Sequence, residues 1–232
     1  MRYGIFLFLL VCACLASLSS RAAEPADPVV AALHVSLAKN LLHAREYIDQ
    51  KDAKSLGQTA GNLQLLAELL KARSDDSRWQ EATGRIIAAV SGVQAAAKTE
   101  DMGKCKAAVD ALENSLAASA TAKPAGKPQS LAKPPAIRPL MLSLDAIFAD
   151  AKVSLISGNV DAAKKQSLVV AELGKLVSNQ RTTPEWTSLA GDFCTAATAT
   201  ANSTENDSKA VRQLIRGMAA RCEACHEKSR TR

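Results

Sequence analysis

An internal repeat constrains this fold more than any other feature of the chain. Shifting the sequence by 107 residues, without a gap, lays Trp79 on Trp186, the only two tryptophans present. The same shift superposes Leu33 on Leu140, Ser36 on Ser143, Leu37 on Leu144 and Ala44 on Ala151. It also pairs Leu66 with Leu173, Leu69 with Leu176, Gly84 with Gly191 and Ala89 with Ala196. Self-similarity at a fixed offset reads as one structural unit built twice. Between the two units, Ala122 to Pro139 holds five of the eight prolines (Pro124, Pro128, Pro134, Pro135 and Pro139). Such a stretch does not propagate a helix and reads as an extended linker. The expected organisation is a unit over 26–120, a Pro/Lys linker over 121–136 and a second unit over 137–232.

Each unit reads as four helices. The chain is 47% hydrophobic but only 3% aromatic, and most of the apolar fraction is Ala and Leu, which favours helices over strands. In the second unit Ile137, Leu140, Met141, Leu144, Phe148, Ala151 and Leu155 follow the three-to-four spacing of one buried face. Gly158-Asn159 breaks that run, and a second helix from Val160 to Ser178 turns Val170, Leu173 and Val177 inward. Thr183-Pro184-Glu185 supplies an N-cap and a first-turn proline for a third, which buries Trp186, Leu189 and Phe193. A fourth begins near Ser208 and carries Val211, Leu214, Ile215 and Met218. In the first unit Asp27-Pro28 and Asp76-Ser77 are the matching helix starts. Helices of about 18 residues, about 27 Å long, joined by short loops imply an up-and-down bundle. The expected fold class is therefore all-α, two four-helix bundles in series.

The first 22 residues read as a secretory signal peptide. Arg2 gives a positive start, Ile5 to Leu18 an apolar run, and Ser20-Arg21-Ala22 the small residues of a cleavage site. The run falls short of the roughly 20 apolar residues of a membrane span, and no span is expected in the mature chain. Cys12 stands where a small uncharged residue is usual, which argues against Cys14 as a lipid anchor. Losing Met1–Ala22 removes Arg2 and Arg21 and no acid, so the formal charge falls from +6 to +4. That charge, with no aromatics among the basic residues, does not point to nucleic acid. Arg212, Arg216, Arg221, Lys228, Arg230 and Arg232 crowd the last helix and read as a solvated face, with some of the cations placed favourably near a helix C-terminus.

The chemistry lies near the end, at Cys222-Glu223-Ala224-Cys225-His226. This spacing is the c-type haem attachment signature. Residues three and four apart share a helical face, so both thiols and the imidazole point to one side. Two thioethers can then hold a porphyrin while His226 takes an axial position on the iron. Competing readings are weaker. A structural zinc site needs four ligands and the segment supplies three, with His34 and His43 in the other unit. A thioredoxin-like pair expects a βαβ context, and a disulfide between Cys222 and Cys225 is geometrically poor along a helix. No Ser-His-Asp set, paired carboxylates or phosphate-cradling loop rises above background, so no enzyme is expected.

A leader, a four-helix unit and a CxxCH on the last helix resemble the class II c-type cytochromes, the cytochrome c′ group. The resemblance covers roughly Lys133 to Arg232. It implies a periplasmic monohaem electron carrier whose partners are periplasmic redox proteins, with homodimer formation frequent among its members. Members usually follow the motif with an aromatic and then Arg; Arg230 is present, and Ser229 takes the aromatic's place. On the first helix of the unit, members carry an Arg and, four residues later, the residue over the distal side of the iron. Arg138 and Leu142 match. A leucine there implies a five-coordinate iron open to nitric oxide or carbon monoxide, the alternative function. Met141 next door would instead offer a thioether and raise the potential, although a methionine is also ordinary core filler. Met218, one turn before Cys222, is expected to pack against the porphyrin.

The first unit lacks the motif: Ser115, Ala118 and Ser119 replace the cysteines and histidine, and Ala31 and Val35 replace Arg138 and Leu142. It is expected to bind no haem and to fill that volume with side chains; a docking role toward a redox partner is the third reading. His34 and His43, nine apart, do not share a helical face and are not expected to hold a metal. Cys105 and Cys194 occupy non-equivalent repeat positions and are read as free thiols as readily as a disulfide.

Overall fold

The computed structural model describes residues 27–131, 133–181 and 183–230. The leader and Cys14 lie outside the described residues. Among the described residues eight helices account for the regular structure: α1 (Pro28–Asp49), α2 (Ala53–Lys71), α3 (Ser77–Lys98), α4 (Met102–Ser119), α5 (Ile137–Ile156), α6 (Val160–Ser178), α7 (Pro184–Ala201) and α8 (Ser208–Arg230). Among the described residues there is no strand, and the chain is all-α. No described helix is long and apolar enough to cross a membrane.

Local sequence sets most helix starts. The carboxylates of Asp27, Asp52, Asp76 and Asp101 accept from first-turn amides and cap all four helices of the first half. In the second half Asn159 and Thr183 cap α6 and α7, and Ala210 N donates to Asp207 at 3.1 Å at the start of α8. Each such cap typically contributes about 1 kcal/mol. The loop before α6 needs a left-handed residue, and Gly158 supplies it at φ +82°. Its counterpart in the first half is Lys51, held at φ +57°.

Within each half, consecutive helices pack on one another and the fourth closes on the first. The offset of 107 reappears in the contacts. Trp79 Nε1 donates to Leu70 O and Trp186 Nε1 donates to Val177 O, each at 3.0 Å, and these four positions are related by that offset.

The halves do not stand in series. They lie side by side, α1 against α6 and α2 against α5, around one continuous apolar core. Since α1 corresponds to α5 and α2 to α6, these are one contact made twice, the pattern of a two-fold isologous interface. His43 Nε2 meets Asp150 Oδ1 at 2.8 Å. The two are themselves 107 apart, so one repeat position meets its own equivalent, as happens only close to a two-fold axis. Ser143 Oγ–H donates to Asn62 Oδ1 at 2.8 Å across the same seam. Arg73 joins Asp27 at 2.7 Å and Glu172 at 3.6 Å.

The linker is strapped down. Gln129 N donates to Ala72 O at 2.7 Å, Asp75 N to Lys127 O at 2.9 Å, and Gly126 N to Ser74 Oγ at 2.8 Å. The expected extended stretch ends at Ala136, because Pro139 sits in the first turn of α5, where its missing N–H is not needed.

Candidate functional site

The motif lies on the last two turns of α8, and its three reactive side chains share a face. Cys222, Cys225 and His226, all partly buried, line one hollow together with Met141, Leu144 and Asp145 of α5. Gly174 and Val177 of α6, and Leu189, Ala190 and Phe193 of α7, complete it. Arg221 borders the same hollow and donates to Gly217 O at 2.9 Å.

Apolar walls decide the thiol chemistry. Burial pushes the Cys222 thiol up to about 11, with Asp145 adding to the effect, and burial raises Cys225 as well, against the cation of Arg181. Without a bound group both thiols are neutral at ordinary pH, because an apolar slot disfavours thiolate. Arg181 lies 4.9 Å over the ring of Trp186. Cys105 and Cys194 are free thiols, Cys105 in the core of the first half and Cys194 on α7.

Of the residues singled out in the sequence, Cys222, Cys225, His226 and Met141 come together. Leu142 does not. It is 53% exposed and lines a different groove, between α5 and α2. One residue is 100° of helix, so with Met141 turned into the hollow, Leu142 is carried to the outer face. Arg138 is exposed and does not line the hollow. Met218 is fully buried in the core, one turn before Cys222, and does not line the hollow either. Arg230 ends α8, and its side chain lies outside the described residues.

Among the lining residues that the sequence did not assign to the site are Asp145, Phe193 and Gly174. Asp145 carried a signal, being four residues after Met141 and so on the same face. Phe193 was expected to be buried, but not to face the motif. Gly174 matters by what it lacks: a Cβ there would lie 2.8 Å from Cys194 Sγ and 3.2 Å from Phe193 Cδ1. Only glycine lets α7 come this close to α6.

The donor set suits a haem. Among the described residues no group of three or more His, Cys, Asp and Glu side chains comes together to hold a metal ion. A porphyrin brings four nitrogens of its own and asks the protein for one or two more. The free space in the hollow is about 40 Å³, little above one water's share of about 30 Å³, so a porphyrin needs α8 to stand further out. That displacement would break fewer contacts than in the first half, since α8 is held by α7 and α5 less extensively than α4, its counterpart, is held by α3 and α1. In the first half the inner positions matching the hollow are filled. Ala67, Leu70, Thr83, Ile86 and Ser119 are all fully buried, and His34 stands at the counterpart of Met141. Burial lowers its pKa to about 4, so it stays neutral.

No known protein family, characterised protein or solved structure matches this chain.

Proposed function

We propose that the second half carries one covalently attached haem c and that the protein is a monohaem c-type cytochrome of the class II, cytochrome c′ type, an electron carrier and not an enzyme. The observation that carries this reading is the convergence of two thiols, one imidazole and one thioether on a single apolar hollow. Cys222 and Cys225 would hold the porphyrin through thioethers, and His226 would bind the iron. When bound, the haem supplies a one-electron ferrous/ferric couple whose potential is set by axial ligands and burial. Leu144, Val177, Leu189 and Phe193 would exclude water from its faces.

Met141 supports electron transfer over binding of nitric oxide or carbon monoxide. The gas-binding alternative relied on Leu142 over the iron, and Leu142 faces the outer groove. A thioether from Met141, which lines the same hollow as His226, would offer the iron a second protein ligand in competition with a gas. The leader-like start of the sequence supports a periplasmic site of action, with periplasmic redox proteins as partners. For the third reading, docking by the first half, α3 and α4 are the helices not committed to the seam with the second half.

Protein matured in a host able to attach haem c should keep its haem stain after denaturation, and C222A/C225A should lose it. A ferrous spectrum unchanged by carbon monoxide, and made responsive by M141A, is the expected result for a Met/His iron. Colourless protein with titratable Cys222 and Cys225 thiols would end the haem reading. A carbon monoxide response in the unaltered protein would favour the gas-binding alternative.

A further inference from the structure

The groove lined by Leu142 runs between α2 and α5 and shares no residue with the hollow of Cys222 and Cys225. Its free space is about 510 Å³, the size of a small-molecule site. One wall is apolar, formed by Leu142, Ala146 and Val153 of α5, of which Leu142 and Val153 are half-exposed. From Leu142 to Val153 this wall is about 16 Å long. The other wall is polar: Asn40, His43 and Tyr47 of α1, with Asp150 beside them. Two glycines of α2 keep the groove open, since a Cβ at Gly57 or Gly61 would meet no atom within 4 Å. At the matching positions of α6 the second half carries Lys164 and Leu168, whose side chains take the space that the glycines leave.

The polar wall has acceptors to spare. Asn40 is 2% exposed; its Nδ2 donates to Ser36 O at 3.0 Å, and its carbonyl oxygen accepts from no described residue. Asp150 is buried too, with Oδ1 engaged by His43 Nε2 at 2.8 Å and Oδ2 accepting from no described residue. His43 is shared between two carboxylates, because its Nδ1 lies 3.3 Å from Glu46 Oε2. His43, Glu46 and Asp150 together are therefore negative even with the imidazole protonated. A buried acceptor without a donor is costly, and a donating, positively charged group would recover that cost.

We propose that this groove binds a small amphipathic organic cation, a primary ammonium on an alkyl chain, with the ammonium at Asp150 and Asn40 and the chain along the apolar wall of α5. An ammonium offers three donors and no acceptor, the complement of this wall. A carboxylate or phosphate head would be repelled there, and an uncharged alcohol would leave the negative charge unmatched. The site stands independently of the haem reading, since none of its groups lines the hollow.

Hexylammonium chloride titrated into the mature chain, followed by calorimetry and by amide NMR shifts, should bind saturably at one site, with the largest shifts around Asn40, Gly61 and Asp150. Hexan-1-ol and hexanoate, which carry the same chain on other heads, should bind about tenfold more weakly or not at all. D150N should weaken hexylammonium binding by about tenfold, the loss of a charge-assisted hydrogen bond. G61L, which installs the second half's residue in the open space, should abolish binding with circular dichroism unchanged, and it leaves the contact of Asp150 with His43 intact. No saturable binding of hexylammonium in the millimolar range, or binding indifferent to G61L, overturns the proposal. Equal binding of hexan-1-ol overturns the assignment of a cation. Self-association abolished by G61L, with no hexylammonium bound, overturns the proposal in favour of a second copy of the chain in the groove.

Discussion

His34 should make the first half acid-labile, and His34→Met should remove that lability. The side chain is largely buried, and desolvation lowers its pKa from 6.5 to about 4. In the unfolded chain it takes up a proton near pH 6.5; in the folded chain it resists until about pH 4. Between those values the unfolded state binds more protons, so stability is fully present above pH 6.5 and is lost as pH falls toward 4. A gap of about 2.5 units at about 1.4 kcal/mol per unit sets a ceiling of about 3.4 kcal/mol, of which about 2.5 is lost by about pH 4.5. Methionine is the natural test because the second half carries Met141 at the matching position. Urea unfolding followed by tryptophan fluorescence, at about pH 7 and about pH 4.5, compares the two proteins. With a slope of about 2 kcal/mol per molar urea, the acid-induced drop in midpoint should be about 1 M larger in the unaltered chain. Every other titrating group is common to both, so it cancels in that difference. Equal drops would refute the burial argument for His34.

His43 should act in the opposite sense. Its pKa is raised, first by the hydrogen bond it donates to Asp150 and against the cost of burial, so its contribution is full below pH 6.5 and fades as pH rises through the raised value. His43→Gln should weaken the seam between halves by about 1 kcal/mol at low pH and by less at high pH, read as urea midpoints across a pH series. Gly174→Ala should lose about 1 kcal/mol, overpacking against Cys194 and Phe193 outweighing the gain in helix propensity, and Cys194→Ala in the same chain should recover part of it in thermal melts. At the matched left-handed positions, Gly158→Ala should lower thermal stability by about 1–2 kcal/mol, whereas Lys51→Gly should raise it by up to about 1 kcal/mol.

The sequence by itself determined what depends on neighbours along the chain. Helix periodicity, the Asp and Asn caps, the turn at Gly158 and the common face of Cys222, Cys225 and His226 all rest on spacings of a few residues, which backbone geometry converts directly into position. The offset that aligned Trp79 with Trp186 recurs in their equivalent bonds to Leu70 and Val177. Tertiary structure decided what depends on how helices are rotated and which surfaces meet. Met141 and Leu142 are adjacent; the helical spacing put Met141 on the buried face while the family resemblance named Leu142, and the roll of α5 about its axis, set by packing on α6 and on the first half, turned Met141 toward the motif. The linker became a strap because its amides and carbonyls found partners at Ala72, Ser74 and Asp75. The meeting of His43 with Asp150 was hidden for the same reason: a contact between equivalent positions follows from the symmetry with which the halves pack, and no local rule of spacing contains that symmetry.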